Sequence, residues 1–293
     1  MRAFRLATGR PRKGATASPV NTFRRFEGGH RDVPSAIQWN LDGLEEARGK
    51  DLVRQSPRAL EVLRERAIVE SAVSSNRIEG VTVDRARQQT VLLGKSQLRD
   101  QNEEELRGYR NALDRIHQGH AKQPISTDNI RDLHRMARAE VGDAGELKTR
   151  DSDIIERSAN GSVRVRFRPV RAAETPRFME GLVEGWGRCL EERWVHPLIA
   201  LGAFNLDFLC VHPFRDGNGR VSRLLLLLQS HHLGLDVGRY ISLERLIEEN
   251  LERYYETLEI GSESWHQGKH DPWPYIGYIL FILRKAYSEL EAL

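Results

Sequence analysis

The sequence predicts a mainly α-helical protein with one small β-hairpin. Three segments repeat apolar residues every three or four positions, the spacing that places them on one face of a helix, at residues 57–72, 103–118 and 127–140. Strict alternation of apolar and polar residues, as in a half-buried strand, is found only at residues 163–167. Helices therefore account for most of the fold.

The first 31 residues read as a basic arm. They contain eight Lys or Arg residues and one acid, Glu27, whereas the whole chain of 293 residues has a net charge of +3. Basic arms can bind nucleic acid, but the glycines and prolines here accompany no binding motif, so the sequence favours a flexible or surface-packed arm. A short helix is expected to end at Gly49. We assign residues 1–50 to this arm and helix, and residues 51–293 to one domain.

Composition and cysteine content predict the cellular location of the protein. With 39% hydrophobic and 30% charged residues, the chain is like ordinary soluble proteins, and the apolar run near Leu224 is far shorter than a membrane span. The N-terminus lacks the apolar core of a secretory signal. Cys189 and Cys210 lie in apolar helical contexts and are expected to be small core residues. These features predict a cytoplasmic protein without membrane contact.

Local sequence signals predict the remaining helices and the hairpin. Ser56-Pro57 is a common helix start, and Gly80 is expected to follow the end of the helix that it opens. His134, on a later helix, is expected to be a packed side chain, because no partner lies at metal-ligand spacing. A hairpin is predicted at about residues 153–168, with Asn160-Gly161 suited to its turn. Further helices are expected over about 176–192, 196–211 and 243–258, and from Asp271-Pro272 to Tyr287.

The loop and helix start at residues 211–229 carry the strongest chemical signal. Gly217 and Gly219 bracket Asn218, so that successive backbone N–H groups can turn towards a bound anion. Apolar residues follow, which predicts a helix whose positive N-terminal end points at the same place. Arg220 and Arg223 lie three positions apart on its first turn and can both bind phosphate oxygens. The sequence therefore predicts a phosphate site.

Two more residues of this loop indicate a reaction centre, and a third is expected to fix the loop. His212 offers a base that can be neutral at pH 7, and Asp216 offers a hard oxygen ligand suited to Mg²⁺. Proteins usually hold Mg²⁺ with one or two carboxylates and the phosphates of a substrate. Phe214 is the one large apolar side chain between them and is expected to anchor the loop.

Residues 212–223, with the sequence HPFRDGNGRVSR, resemble the signature of the Fic domain family, His-Pro-Phe-x-(Asp/Glu)-Gly-Asn-(Gly/Lys)-Arg-x-x-Arg, and match it at every specified position. The resemblance implies a Fic-type helical bundle and the transfer of AMP from Mg-ATP to a Ser, Thr or Tyr hydroxyl of a target protein, which can be the protein itself. It also implies that His212 is the general base and that Asp216 is the metal ligand. By the same resemblance, Gly217, Asn218 and Gly219 form the phosphate-binding turn, and Arg220 and Arg223 bind the phosphates.

Three other stretches resemble parts of this family. Residues 75–80 are similar to its inhibitory pattern, (Ser/Thr)-x-x-x-Glu-(Gly/Asn), which implies that Glu79, four residues after Ser75, occupies Arg223 in place of a γ-phosphate. The predicted hairpin resembles the flap that holds the target as an added strand. Residues 243–258 resemble a helical region that implies contact between Asn250 and the adenosine.

Some positions are weaker or depart from the family pattern. Tyr254 and Tyr255 are expected to be core side chains, because aromatic residues at helical spacing usually are. Asn205 stands where relatives often carry a histidine, seven residues before His212, so support from that histidine is not expected. The pairs His231-His232 and His266/His270 suggest zinc, but no third ligand has suitable spacing.

Several alternatives stay open. The group transferred could be UMP or a phosphate, and in a few members of the family the inhibitory glutamate supports removal of AMP from a modified protein. From another class, the chain could be a nucleotide-sensing or DNA-binding regulator that uses the basic arm. Many relatives continue into a winged helix, whereas this sequence ends at Leu293, which argues against a nucleic-acid partner. A homodimer is compatible with these features.

Overall fold

The described part of the chain is mainly helical and contains one small β-hairpin. The computed structural model describes residues 19–29, 32–49, 56–94, 97–139, 142–157 and 162–293. Within these ranges the strands are β1 (Ile154–Arg157) and β2 (Val163–Phe167), and the helices are α1 (Asn21–Phe26), α2 (Ser35–Gly49), α3 (Pro57–Ile78), α4 (Arg85–Leu92), α5 (Gln101–Gly119), α6 (Thr127–Ala137), α7 (Thr175–Glu191), α8 (Pro197–Val211), α9 (Asn218–His232), α10 (Leu243–Glu249), α11 (Leu251–Ser262) and α12 (Trp273–Glu291). The predicted fold class, mainly α with a small β-hairpin, is confirmed.

Helix α8 runs through the centre of the core. Every residue from Leu198 to Val211 is buried, and the helix is apolar on all sides, as expected for a helix with neighbours all round. It packs against α1, α7, α9, α11 and α12. Its C-terminal end leads directly into the loop at residues 211–218, so this loop is attached to a helix that is buried along its length.

A buried carboxylate on α8 anchors α1. Asp207 accepts hydrogen bonds from the backbone N–H groups of Thr22 and Phe23 at 3.1 to 3.2 Å, and from the Thr22 hydroxyl at 2.5 Å. The indole N–H of Trp265 donates to the same carboxylate at 2.6 Å. The first N–H groups of a helix have no partner within the helix, so the carboxylate both satisfies these donors and complements the positive end of α1.

Packing continues across residue 50, where the sequence analysis placed a boundary. Side chains of α1 and α2 lie in the same hydrophobic core as α8 and α12; they include Phe23, Phe26, Leu41 and Leu44. The domain boundary at residue 50 stays a prediction. The hydrophobic core is shared by helices on both sides of it. Residues 1–18 of the predicted basic arm lie outside the described residues.

Helix α3 begins and ends as the sequence predicts. The Ser56 side chain accepts a hydrogen bond from the Ala59 N–H at 3.2 Å and caps the N-terminus. At the other end, the N–H groups of Gly80 and Val81 return to the carbonyls of Arg77 and Asn76, with Gly80 in the left-handed region at φ +78°. These paired bonds form a Schellman motif, which fixes the backbone at Glu79, the C-cap residue.

The hairpin lies beside α11. Its strands are antiparallel, with Ile155 opposite Val165 and an irregularity between Ile154 and Ile155. Arg164 and Arg166 on β2 pair with Glu259 on α11, with N···O distances of 3.2 and 2.7 Å. The predicted turn residues, Asn160-Gly161, lie outside the described residues.

Two smaller predictions concern the cysteines and the membrane. Cys189 and Cys210 are both free and buried, as expected for core residues. Among the described residues, no helix has the length and apolar character needed to cross a membrane.

Candidate active site

The loop between α8 and α9 is braced from within. Phe214 is fully buried, as the sequence predicts. Its N–H donates to the Asn218 side-chain oxygen at 2.9 Å, and the Asn218 amide returns a hydrogen bond to the Phe214 carbonyl at 2.8 Å. Gly217, in the left-handed region at φ +80°, is the N-cap of α9. This conformation favours glycine, so the backbone of the loop is set by its sequence.

His134 on α6 supports the same loop. Its ring stacks on Phe214 with centroids 3.8 Å apart and an interplanar angle of 6°. The Gly145 N–H donates to Nδ1 at 2.8 Å, so the proton is on Nε2, which donates to the Asp216 carbonyl at 2.9 Å. Burial lowers the pKa of His134 to about 4. The histidine is therefore neutral and structural, in agreement with the prediction of a packed side chain.

His212 has the properties of a base at neutral pH. It is half-buried, and its Nδ1 lies 3.3 Å from the Leu209 carbonyl, which can only accept a hydrogen bond. The proton is thus assigned to Nδ1, and Nε2 keeps a free electron pair. Burial, followed by the charge of Lys148, lowers the pKa of His212 to about 4, while Glu79 and Asp216 act in the opposite direction. The imidazole is accordingly neutral at pH 7.

Lys148 holds the backbone on both sides of this histidine. Its ammonium group donates to the carbonyls of Val211 and His212 at 3.0 and 2.8 Å, and its N–H donates to the Pro213 carbonyl at 2.8 Å. These bonds satisfy carbonyls at the end of α8 that have no partner within the helix. They also hold His212 in a left-handed conformation, at φ +50°, that is unfavourable for a side chain with a Cβ atom. Burial lowers the pKa of Lys148 to about 8.

The carboxylate of Glu79, the C-cap residue of α3, lies against the first turn of α9. Its Oε1 atom is 2.8 Å from Nη2 of Arg223, and a Cβ atom built on Gly219 would meet this oxygen at 2.1 Å. Ser75 holds the same guanidinium, since its hydroxyl accepts from Nε at 2.8 Å and its carbonyl accepts from Nη2 at 3.0 Å. The structure thus brings together Ser75, Glu79, Gly219 and Arg223, with a carboxylate at the positive end of the helix.

Arg220 faces the interior. It is 1% exposed, and its Nη1 atom lies 2.5 Å from Glu105 on α5, which is also buried. Asn76 is a more distant partner at 3.4 Å. The predicted contact with phosphate stays a prediction, since the described contacts of this guanidinium are with protein groups.

Asp216 is the most exposed charged group among the proposed site residues. Its side chain is 58% exposed, and its Oδ2 atom lies 2.8 Å from Nη1 of Arg138, the C-cap residue of α6. Within the described parts of the chain, no group of three His, Cys, Asp or Glu side chains could hold a metal ion. A single accessible carboxylate does fit Mg²⁺ that arrives with a nucleotide, because phosphate oxygens and water then complete its ligands.

A cleft of 380 Å³ opens next to His212. It lies between the hairpin, α11 and the loop, and its lining includes Glu79, Ile155, Phe167, Cys210, His212, Gly219, Tyr254, Tyr255 and Leu258. Tyr254 is buried and Tyr255 is 36% exposed. Tyr254 belongs to the hydrophobic core, as predicted, whereas the exposure of Tyr255 shows that its prediction as a core side chain was wrong. Both tyrosines line the cleft.

Two asparagines lie away from this cleft. The Asn250 amide donates to the Leu246 carbonyl at 2.8 Å, at the junction of α10 and α11, and Asn250 is not among the residues that line the cleft. Its contact with adenosine therefore stays a prediction. Asn205 is buried and donates to the Ser222 carbonyl at 2.8 Å, which ties α8 to α9.

Comparison with known proteins identifies the segment that contains this loop. Residues 124–230 match the model of the Fic/DOC family. This stretch begins just before α6, includes the hairpin and ends within α9. This segment of the chain is a Fic/DOC family domain. No curated protein matches the sequence.

Solved structures show that the similarity in fold extends beyond the matched segment of the Fic domain. A Fic family protein from Desulfovibrio desulfuricans is 24% identical, with a TM-score of 0.71 over 90% of this chain and 76% of that chain. A Fic domain containing signaling protein from Bacteroides thetaiotaomicron is 20% identical, with a TM-score of 0.66 over 87% and 95%. Fic-1 from C. elegans is 18% identical, with a TM-score of 0.65 over 88% and 71%.

Three side chains of the Fic domain site were not singled out from the sequence. They are Glu105, Arg138 and Lys148. Glu105 and Arg138 lie on neighbouring helices, and only the fold brings them to the signature loop. Lys148 had a weak signal, since it belongs to the stretch before the hairpin that resembles the family flap.

Proposed function

We propose that the protein transfers AMP from Mg-ATP to a Ser, Thr or Tyr hydroxyl of a protein, and that Glu79 restrains this transfer. The observation that carries the proposal is the position of the Glu79 carboxylate, on the N-terminal turn of α9 and 2.8 Å from Arg223. The N-terminal turn of a helix favours negative charge, so a carboxylate at this place indicates an anion-binding site. Proteins with a Fic domain are generally transferases, which supports enzymatic function.

The nucleotide would use both the turn and the cleft. After Glu79 moves away, phosphates would bind at the turn of Gly217, Asn218 and Gly219 and at Arg223. The adenosine would lie in the 380 Å³ cleft, whose wall includes Tyr255. Aromatic and aliphatic walls of this kind suit a planar base. The chain of the target protein would lie along the hairpin, as an added strand.

His212 would start the transfer by removing a proton. Nε2, which carries the free electron pair, takes the proton of the target hydroxyl. The hydroxyl oxygen then forms a bond to the α-phosphorus, and the bond from that phosphorus to the oxygen bridging to the β-phosphate breaks. AMP is left on the target and pyrophosphate leaves. Positioned proton transfer of this kind typically contributes about 10² to 10⁴ in rate.

Asp216 would hold Mg²⁺ together with phosphate oxygens of the nucleotide. When bound, the ion supplies positive charge that offsets the charge gathering on the leaving pyrophosphate. Lys148 and Asn218 keep the loop between His212 and Asp216 in one conformation, so the base and the metal ligand stay at a fixed separation.

Removal of AMP is a second candidate. Glu79 and His212 line the same cleft, and the Glu79 side chain is 27% exposed. A carboxylate in this position could orient a water molecule towards the phosphorus of an AMP–protein bond. The test is the release of AMP from a target that has first been labelled: loss of release in Glu79→Gln would support this activity.

The experiment that tests AMP transfer uses α-³²P-ATP. Parent protein, Glu79→Gly and Glu79→Gly/His212→Ala are incubated with Mg²⁺ and a cell lysate, and labelled proteins are separated on a gel. We expect labelling to rise in Glu79→Gly and to fall by about 10² to 10⁴ in the double variant. Glu263→Gly is a matched control, because Glu263 is also an exposed helix C-cap.

Other outcomes would change the proposal. Labelling by γ-³²P-ATP in place of α-³²P-ATP would indicate phosphate transfer, and labelling by α-³²P-UTP in place of ATP would indicate UMP transfer. If Glu79→Gly labelled proteins no faster than the parent, the restraint by Glu79 would be wrong.

A further inference from the structure

A second ion pair at the site involves the carboxylate that is expected to hold the metal. Arg138 Nη1 lies 2.8 Å from Asp216 Oδ2 and 2.5 Å from Glu105 Oε1. The Arg138 side chain is 13% exposed, whereas the Asp216 side chain is 58% exposed. The largely buried guanidinium of Arg138 thus contacts the exposed carboxylate of Asp216, the candidate metal ligand.

The position of Arg138 is fixed by its other neighbours. Glu105 is 2% exposed and also pairs with Arg220, so it lies between two guanidinium groups. The aliphatic part of Arg138 packs along the loop, since a Cβ atom on Gly217 would meet its Cδ at 3.2 Å. Arg138 is therefore held beside Asp216 by contacts that do not depend on Asp216.

The charges of the site are already balanced without a ligand. The Glu79 carboxylate contacts Arg223, the group proposed to bind a phosphate, and the Arg138 guanidinium contacts Asp216, the group proposed to bind the cation. Each half of Mg-ATP would thus meet a side chain of its own charge. Arg220 Nη2 is a more distant neighbour of the same Oδ2 atom, at 3.8 Å, whereas Arg138 is within hydrogen-bond distance. A cation that approaches Asp216 must therefore displace the Arg138 guanidinium or share the carboxylate with it.

We propose that Arg138 takes the place of the divalent cation at Asp216 in the nucleotide-free protein and competes with that cation for the carboxylate. This inference rests on the proposed function, because it takes Asp216 as the metal ligand. It goes beyond that function because it gives the site a second internal competitor. Arg138 competes with the cation for Asp216, just as Glu79 is proposed to compete with a phosphate for Arg223. Arg138 is a positioning residue, since it acts through Asp216.

The test measures metal binding and needs no transfer chemistry. Mn²⁺ is titrated into the Glu79→Gly protein in the presence of α,β-methylene-ATP, and free Mn²⁺ is followed by electron paramagnetic resonance. Arg138→Gln removes the charge but leaves an amide donor for Glu105. Because the Asp216 end of the ion pair is exposed, water weakens the pair, and we expect Mn²⁺ to bind roughly twofold to fivefold more tightly in this variant. Arg138→Lys, which keeps the charge, should stay close to the parent affinity.

Two controls separate this inference from the proposed function. Asp216→Asn should weaken Mn²⁺ binding, and adding Arg138→Gln to it should have no further effect. Arg135→Gln, which removes an arginine of the same helix whose ion pair is with Asp132, should leave Mn²⁺ affinity unchanged.

The outcomes are distinct. Weaker or unchanged Mn²⁺ binding in Arg138→Gln, alongside weakened binding in Asp216→Asn, would overturn the competition and leave the proposed function intact. If Asp216→Asn had no effect on Mn²⁺ binding, the assignment of the metal ligand would fail, and this inference would fail with it.

Discussion

Glu79 Oε1 and Arg223 Nη2 are 2.8 Å apart, and a Cβ atom on Gly219 would lie only 2.1 Å from the same oxygen. The two residues are 144 positions apart in the chain. One belongs to the end of α3, which a Schellman motif holds, and the other to the first turns of α9. Their contact joins the end of α3 to the beginning of α9, and the carboxylate fills the space that a phosphate at this helix N-terminus would need.

Gly219→Ala should weaken nucleotide binding in the Glu79→Gly background. The added methyl group would fill the space that Glu79 now occupies and that a phosphate would need. We expect the Kd for ATP to rise on the order of tenfold, equivalent to about 1.4 kcal/mol. Isothermal titration calorimetry measures this directly. Gly187→Ala is the control, since a Cβ atom there meets nothing within 4 Å. Unchanged ATP affinity in Gly219→Ala would place the phosphates elsewhere.

The acid limb of the pH profile should be displaced. A base must be unprotonated to act, and the pKa of His212 is lowered to about 4, chiefly by burial. Activity is therefore present above this pKa and is lost as the pH falls through it. For Glu79→Gly, kcat/KM for ATP measured from pH 5 to 8 should show no fall near 6.5, the value of an ordinary histidine. Circular dichroism at each pH would show that the protein is folded, and a fall centred near 6.5 would contradict the assignment.

Buried histidines should make the fold sensitive to acid. Burial lowers the pKa of His117 and His231 to about 3 and that of His270 to about 4. Below pH 6.5 these histidines bind protons in the unfolded chain, whereas in the folded protein they stay neutral down to about their lowered pKa. The free energy of unfolding should therefore decrease as the pH falls from 6.5 towards 4. Each such group contributes up to about 1.4 kcal/mol per pH unit. Urea denaturation at several pH values measures the slope, and His117→Gln should make it shallower.

Asp207→Asn should destabilise the protein. An amide group in place of the carboxylate would turn N–H atoms towards donors from Thr22, Phe23 and Trp265. Leaving buried donors without acceptors costs roughly 1 to 3 kcal/mol. Urea denaturation followed by tryptophan fluorescence would report the loss, with the exposed Asp42→Asn as control. Equal stability of the two variants would mean that α1 does not depend on this carboxylate.

Local features of the fold could be predicted from the sequence. The start of α3 at Ser56-Pro57 and the buried anchor Phe214 depend on contacts within a few residues of the chain. The inhibitory pattern at residues 75–80 also indicated that Glu79 and Arg223 would meet, although this inference needed the family resemblance. The alternation at residues 163–167 likewise gave the correct strand.

Other features depend on residues that are far apart in the sequence. Arg138 is 78 positions from Asp216, and Arg220 is 115 positions from Glu105, so no periodicity connects them. Residues 19–29 carry glycines and basic side chains that suggest a surface arm, yet Phe23 and Phe26 are fully buried. The acceptor that makes this burial possible, Asp207, is 185 positions away from Thr22.

This last separation has a consequence during synthesis. Translation proceeds at about 5 to 20 residues per second, so roughly 10 to 40 seconds pass between the emergence of Thr22 and that of Asp207 from the ribosome. Throughout this time Phe23 and Phe26 have no completed core to enter, and their exposed rings are available to chaperones or to other nascent chains. The segment that is made early can reach its final position only after α8 exists.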